Sequence, residues 1–412
     1  MDPKDRAFGK KIKELRQDRG MTQNDLAAAM GKTSSWMSQV ERGVQKVERL
    51  DILQDLADAL GVSVQQLRPG APAADIPPVP PLVFQSNDLD GARQLISGHP
   101  AIGTLLGALR AEPGRPLSEL AADVDELWEL THAGQFADVT ARLTDLLPAL
   151  EQTVRLVGDE DRAQAYLLLA RMYQALAAAF VRQDGADAAW VAADRAIWAA
   201  ELSGQPLHVC AGVFRMVHAF VRLKMRREAE HAAKTAIQSL EEADGRESLT
   251  VEGLSVLGSL YLALALVYAR SHDRTAARAA LEAARRVAAR IGEDRNDFNL
   301  EFGPTNVEIQ AVSTAVELGD AGEALDIGAA LNVDGLSPER QGRLFMDLGR
   351  AHAQRRQTGE ALRCLLRAET QDPVMVRNHQ AARKTIRELV LVEGPKATRE
   401  LMELARRADA LE

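Results

Sequence analysis

Apolar residues return at helical spacing from the first turns of this chain, and small residues interrupt the rhythm at short intervals. Phe8 to Arg19 reads as a helix with Ile12 and Leu15 on one face. Gly20 suits the left-handed residue that closes such a helix. Thr22 stands three residues ahead of Asp25, a spacing in which each side chain caps the other's backbone N–H. It opens a second helix that buries Leu26, Ala27 and Met30. Gly31 permits a sharp reversal. Thr33 caps a third helix, "TSSWMSQVERG", in which Met37 and Val40 face inwards and Gly43 marks the end.

After "LDILQDLADALGVSVQQL" the pattern changes. Residues 69–82 are dense in Pro and Ala, which blocks helix and favours an extended, semi-rigid spacer. Residues 83–117 carry two short candidate helices, "DLDGARQLIS" and "HPAIGTLLGALRA", whose docking partner the pattern leaves open. From residue 118 onwards the helical period returns in pairs. The chain therefore reads as all-α, with an N-terminal module at 1–68, a Pro-rich linker at 69–82, a connecting helical segment at 83–117 and a repeat body at 118–412.

Within the body the pairs follow one template. In "RLFMDLGRAHAQRRQTGEALRCLLRAETQDP", Phe345, Leu348, Gly349, His352, Ala361, Leu365, Ala368 and Pro373 fall where tetratricopeptide repeats place an aromatic, Leu-Gly, Tyr, Ala, a second large residue, Ala and Pro. Tyr261, Leu264, Ala265, Tyr268, Ala277, Leu281 and Ala284 repeat the series, as do looser sets around Tyr173 and Val213. The key alanines at 189, 229, 277, 324 and 361 lie 40, 48, 47 and 37 residues apart, so the helices or loops are longer than in a 34-residue repeat. Small residues there let paired helices approach, and stacked pairs bury faces that no pair can bury alone. The body resembles a tetratricopeptide-like α-solenoid, and the resemblance implies a concave inner surface lined by the first helix of each pair.

Charge and composition sharpen the division. Residues 1–49 hold 11 Lys and Arg against 7 Asp and Glu, and the remainder holds 39 against 52, within a net charge of −9. A mildly basic head on an acidic body suits a nucleic-acid reader joined to something that avoids nucleic acid. Two cysteines make neither a disulfide framework nor a metal spacing. The start, "MDPKDRAFGKK", has no apolar leader, and no uncharged apolar run reaches 18 residues, so a cytoplasmic chain without membrane spans is expected. The eight histidines are scattered, and there is no Gly-rich phosphate loop or nucleophile elbow. No enzyme, cofactor or metal is expected.

The third helix carries the chemistry of the head. Its outward positions are Ser34, Ser35, Ser38 and Gln39, short groups that donate and accept, where an ordinary surface helix carries Lys and Glu. Side chains of this kind near a helix N-terminus read base edges in a major groove, Gln pairing bidentately with adenine. Two short helices with a Gly-containing turn form a helix-turn-helix. Together with the residues after it, as far as Leu67, this stretch resembles the Cro/phage-repressor (xenobiotic-response-element) type. The resemblance implies five helices, an Arg16–Glu41 structural pair, base readers at Ser34, Ser35 and Gln39, and a phosphate-facing Gln23. Lys32, Thr33, Ser38, Arg42 and Lys46 complete the expected DNA-binding set. Trp36 departs from the family's small residue; it either touches DNA or packs against helix two or a dimer mate.

Counting along each first helix of the body places Arg171, Gln174, Arg182, Phe214, His218, Arg222, Arg270, Asn306, Arg343, Met346 and Arg350 on the inner surface. Arginine suits bidentate capture of carboxylate or phosphate. The segment 292–310, "GEDRNDFNLEFGPTNVEIQ", breaks the rhythm and offers Asn299, Phe302 and Asn306 as rim contacts, with Pro304 starting a helix. The expected ligand-binding set is Arg171, Gln174, Phe214, His218, Arg222, Asn299, Phe302, Asn306, Arg343 and Arg350, for a peptide or small anion. Head and body together are similar to the peptide-sensing regulators of Gram-positive bacteria. That implies a homodimeric transcription regulator, expected to be a repressor, bound to a two-fold double-stranded operator. The alternative is a DNA-binding regulator whose array binds a partner protein in an adaptor or antitoxin role, with no small ligand.

Overall fold

The computed structural model describes residues 3–30, 34–45, 47, 50–60, 62, 64–67, 88–98, 115–332 and 336–411. Lys32, Thr33, Lys46 and the expected linker lie outside them. The chain divides into two compact units, 1–84 and 85–412. Among the described residues it is all-α, with one isolated antiparallel bridge between Arg295 and Phe302.

The first unit holds α1 (Pro3–Asp18), α2 (Gln23–Ala29), α3 (Ser34–Glu41), α4 (Leu50–Ala59) and α5 (Val64–Leu67). Helix α1 begins ahead of the expected Phe8, Pro being well suited to a first turn. Gly20 and Gly43 adopt left-handed φ of 67° and 70° after α1 and α3. At the start of α2, Thr22 N donates to Asp25 Oδ2 at 2.8 Å and Asp25 N donates to Thr22 Oγ1 at 3.2 Å. Ile12, Leu26, Met37, Val40, Leu56 and Leu60 make a fully buried core. Gly9 lets α1 lie on the end of α3: a Cβ there would stand 2.4 Å from the Val40 carbonyl oxygen.

The second unit stacks antiparallel helices: α6 (Asp90–Ser97), α7 (Leu117–His132), α8 (Phe136–Leu156), α9 (Asp159–Arg182), α10 (Ala186–Leu202), α11 (Pro206–Arg222), α12 (Arg226–Arg246), α13 (Val251–Arg270), α14 (Arg274–Ile291), α15 (Pro304–Leu318), α16 (Ala321–Ala330), α17 (Pro338–Gln354), α18 (Thr358–Gln371), α19 (Pro373–Asn378), α20 (Gln380–Glu393) and α21 (Arg399–Arg407). Helix α6, whose docking the pattern left open, packs on α8 and α10 through Leu89, Ala92 and Ile96. Helix α13 is long and apolar enough to cross a membrane, but it is mostly buried between its neighbours in the array.

One turn geometry recurs at six of the helix-to-helix joints. Gly134, Asp184, Lys224, His272, Gly319 and Arg356 each take a left-handed φ between 59° and 83°. The next N–H reaches back over the turn to Leu130, Phe180, Phe220, Tyr268, Ala315 and His352, at 2.8–3.0 Å. This closure satisfies carbonyls that a helix end otherwise leaves open. Five residues beyond each left-handed residue stands the small packing position: Val139, Ala189, Ala229, Ala277, Ala324 and Ala361, none with exposed surface. The array curls until its ends meet. Arg182 Nη2 at the end of α9 donates to Asp372 Oδ2 before α19 at 2.8 Å, and Gln380 bonds Asp184.

Candidate functional site: a base-reading helix and a cationic cavity

In the first unit the Arg16–Glu41 pair ties α1 to α3. Nε to Oε1 is 2.5 Å and Nη2 to Oε2 is 3.1 Å, while Arg16 Nη1 donates to the Met21 carbonyl at 2.7 Å. Burial works to raise the Glu41 carboxyl, but the bonds from Arg16 and Gln23 outweigh it and hold it below the usual carboxylate range. The pair fixes the pitch of α3, whose Ser34 and Ser35 are exposed and whose Ser38 and Gln39 are half-buried. Trp36 is half-buried and packs against the core of the unit. Arg42 is exposed, with Nε on the Ser38 carbonyl at 3.2 Å. The assignment of Gln23 to phosphate needs correction in part: one N–H of its amide is taken by Glu41 Oε2 at 2.7 Å, an oxygen that accepts from Arg16 Nη2 as well and has a second lone pair for it.

In the second unit the curled array frames a half-open cavity of about 220 Å³. Phe214, His218, Arg222, Asn299, Asn306 and Arg343 line it, with Arg182 from the inner-surface count. Four expected ligand residues do not. Arg171 is held at the surface by Asp125 at 2.5 Å, a carboxylate supplied by neighbouring α7. Gln174 is buried and donates to the His208 carbonyl at 3.0 Å, anchoring the start of α11. Phe302 is fully buried with its ring on Gly258, where even a Cβ would have no room. Arg350 bridges Asp347 at 2.8 Å and Glu317 at 3.0 Å, locking α17 to α15. Met346 lies in the core. Asn306 is buried in the first turn of α15, behind Pro304.

The cavity also takes in residues that the template count passed over: Trp128 and His132 of α7, Arg215, Glu301, Arg340 and His379. Arg215 follows Phe214 directly, and only the curl of the array brings both inside. Its guanidinium lies 5.3 Å from the ring centres of Trp128 and Phe214 and donates to the Asn299 carbonyl at 2.7 Å. Burial pushes its pKa down to about 10. Among the described residues no carboxylate comes within ion-pair distance of it, and its buried Nε has no partner. His218 is pushed down to about 3 by burial and by the guanidinium groups of Arg215, Arg343, Arg222 and Arg270, so it is neutral at pH 7. Among the described residues no group of His, Cys, Asp and Glu is arranged to hold a metal.

A helix-turn-helix whose third helix offers hydroxyl and amide groups defines a DNA-binding transcription regulator. The comparisons with known proteins agree. Residues 7–69 match the family described as Helix-turn-helix domain. Over 62 residues the chain is 36% identical to the HTH-type transcriptional regulator YazB of Bacillus subtilis (strain 168), covering 88% of that protein and 15% of this one. The chain belongs to the helix-turn-helix type transcriptional regulators. Bacillus thuringiensis PlcR, solved in complex with the peptide PapR7 and DNA, aligns over 70% of this chain and 96% of its own, with 15% identity and a TM-score of 0.29. Superposition that loose carries no structural inference.

Proposed function

We propose that this regulator is gated by a peptide or small anionic ligand held in the cavity of its repeat unit, and that it acts in the cytoplasm as a homodimer on a two-fold operator. Ser34, Ser35 and Gln39 read base edges; Arg42, with Lys32, Thr33 and Lys46, holds phosphates. The observation that carries the ligand reading is Arg215, which lines the cavity with a buried Nε that has no partner among the described residues. A buried donor left without an acceptor is costly, so a ligand that brings an acceptor there binds against little competition. Ligand changes DNA affinity only through unequal affinity for two arrangements of the array. The meeting of α9 with α19 gives such an arrangement to bias. The test is to sequence the DNA fragments that the purified protein retains, with and without cell extract. Extract that changes neither the fragments nor their yield sinks the gating.

One observation favours a partner protein instead. Trp190, Val191, Trp198 and Leu202 of α10 are all at least two-fifths exposed, or nearly so at 39% for Trp190. Exposed aromatics grouped on one helix mark interaction surfaces. Capture of a protein that mutation of Trp198 abolishes, with no response to small ligands, supports that reading.

A further inference from the structure

The polar groups of the cavity fall into two sets on α11. Arg215 and Arg222 are seven residues apart on the same helix, hence about 10 Å along its axis. Around Arg215 the charges balance. Three guanidinium groups, of Arg182, Arg215 and Arg340, face three carboxylates, of Asp372, Glu339 and Glu301. Arg215 still lacks an acceptor for Nε.

Around Arg222 the charges do not balance. Among the described residues Arg222, Arg270, Arg343 and Arg350 share only Asp184, Glu317 and Asp347. Arg343 has one long contact among the described residues, Nε to Asp347 at 3.4 Å. His379 lines this end. Its Nδ1 accepts from Ala381 N at 3.2 Å, so the proton of the neutral ring sits on Nε2, which is buried and has no partner. Four guanidinium groups against three carboxylates leave one positive charge, with an unused donor beside it. Between the two ends α11 presents the neutral ring of His218, and the lining includes an apolar set, Ala178, Val181, Leu262, Leu266 and Ile309, beside the polar Ser259, Asn306 and Gln310.

We infer that the cavity holds a small monocarboxylate: its carboxylate at Arg222, Arg343 and His379, its apolar body along α13, and a neutral acceptor at Arg215. This rests on the ligand-gated reading above. At about 220 Å³ the space exceeds a benzene-sized void of about 150 Å³ and falls short of the usual 300–1,000 Å³ of a drug-sized site. It admits a body of roughly a dozen non-hydrogen atoms, so of a longer peptide one end alone fits inside. The donors at both ends also select against a ligand amine.

Calorimetric titration of the full-length protein with octanoate, 7-oxooctanoate and octan-2-one tests this. Octanoate binds, 7-oxooctanoate binds about threefold tighter or better, and octan-2-one gives no measurable heat. Arg343→Met weakens both acids about tenfold or more, and Arg343→Lys recovers part of the loss. Arg215→Met removes the preference for the oxo acid. Ketone binding as well as acid, acid binding indifferent to Arg343→Met and Arg343→Lys alike, or no heat from either acid at millimolar concentration overturns the inference. DNA affinity is measured in the same samples. Acids that bind with the expected response to Arg343 but leave DNA affinity unmoved keep the carboxylate seat and overturn only the gating.

Discussion

Arg182 and Asp372 are separated by 190 residues and joined at 2.8 Å, with little of either side chain exposed. The bond closes the repeat unit on itself. Asp372 also caps α19, accepting from Met375 N at 2.9 Å, so one carboxylate fixes both the local turn and the long-range contact. Removing one partner of a buried pair leaves a stranded charge, at a cost of about 3 kcal/mol. Arg182→Met is expected to expand the unit in solution scattering while helix content by circular dichroism stays unchanged. An unchanged radius of gyration contradicts the closing role.

The Arg16–Glu41 pair does the same work in the first unit. Arg16→Met leaves Glu41 buried with only Gln23 as a donor, and is expected to destabilise the unit by about 3 kcal/mol and abolish specific DNA binding. Glu41 has its carboxyl held below the usual range, so its contribution is present above the unfolded value and is lost as pH falls through the folded one. Denaturant unfolding followed by Trp36 fluorescence reads this: Glu41→Gln flattens the acid limb.

Base reading and phosphate holding separate in a salt titration. Gln39→Ala is expected to cost about 1–3 kcal/mol on operator DNA and little on random DNA, relaxing preference at one or two base pairs. Arg42→Ala weakens both alike and lowers the salt slope by about one. Equal loss on both DNAs for Gln39→Ala would falsify its role.

Much of this was legible because helical period and small residues leave direct traces. Met37 and Val40 point inwards at the spacing that predicts it, and the alanines at 189, 229, 277, 324 and 361 mark the joints. The left-handed residues before them were not legible. Only Gly134 and Gly319 among the six are glycine; Asp184, Lys224, His272 and Arg356 take the same φ because the backbone bond over the turn stabilises it. From the sequence Phe302 looks like a ligand contact because nothing local reveals Gly258, which stands far earlier in the chain and leaves room for its ring. Arg171 and Arg350 look like free cations until α7 and α15 bring Asp125 and Glu317 to them. A single helix shows its period, but not the partners that packing supplies.

The Phe302–Gly258 contact carries its own prediction. Phe302→Ala leaves a void against α13 and is expected to cost about 3–5 kcal/mol. Gly258→Ala forces the ring out, since a Cβ would lie 2.0 Å from its Cζ. Phe302 also sits between Glu301, which binds Arg340, and the helix carrying Asn306, so either change disturbs the cavity wall. Octanoate affinity that survives Gly258→Ala would separate the cavity from this packing.

His218 gives the repeat unit a pH signature distinct from that of its carboxylates. Its ring lies against Phe214, centroids 4.6 Å apart, and it is held neutral with a pKa of about 3. In the unfolded chain it titrates near 6.5, so between these values the unfolded state binds the additional proton and stability falls as pH falls. At pH 5 this one group accounts for about 2 kcal/mol, less where cavity water shares the charge. His379 is depressed in the same direction by burial and by Arg343 and Arg222, and adds a loss of the same sign. Ordinary carboxylates titrate lower, so the window from pH 7 to 5 isolates the histidines. Unfolding of the full chain, followed through Trp128, Trp190 and Trp198, should show stability dropping across that window, and His218→Gln should flatten part of the slope. A wild-type profile that is level from pH 7 to 5 means that the cavity takes up the proton without cost, which a cluster of guanidinium groups around a buried ring does not allow.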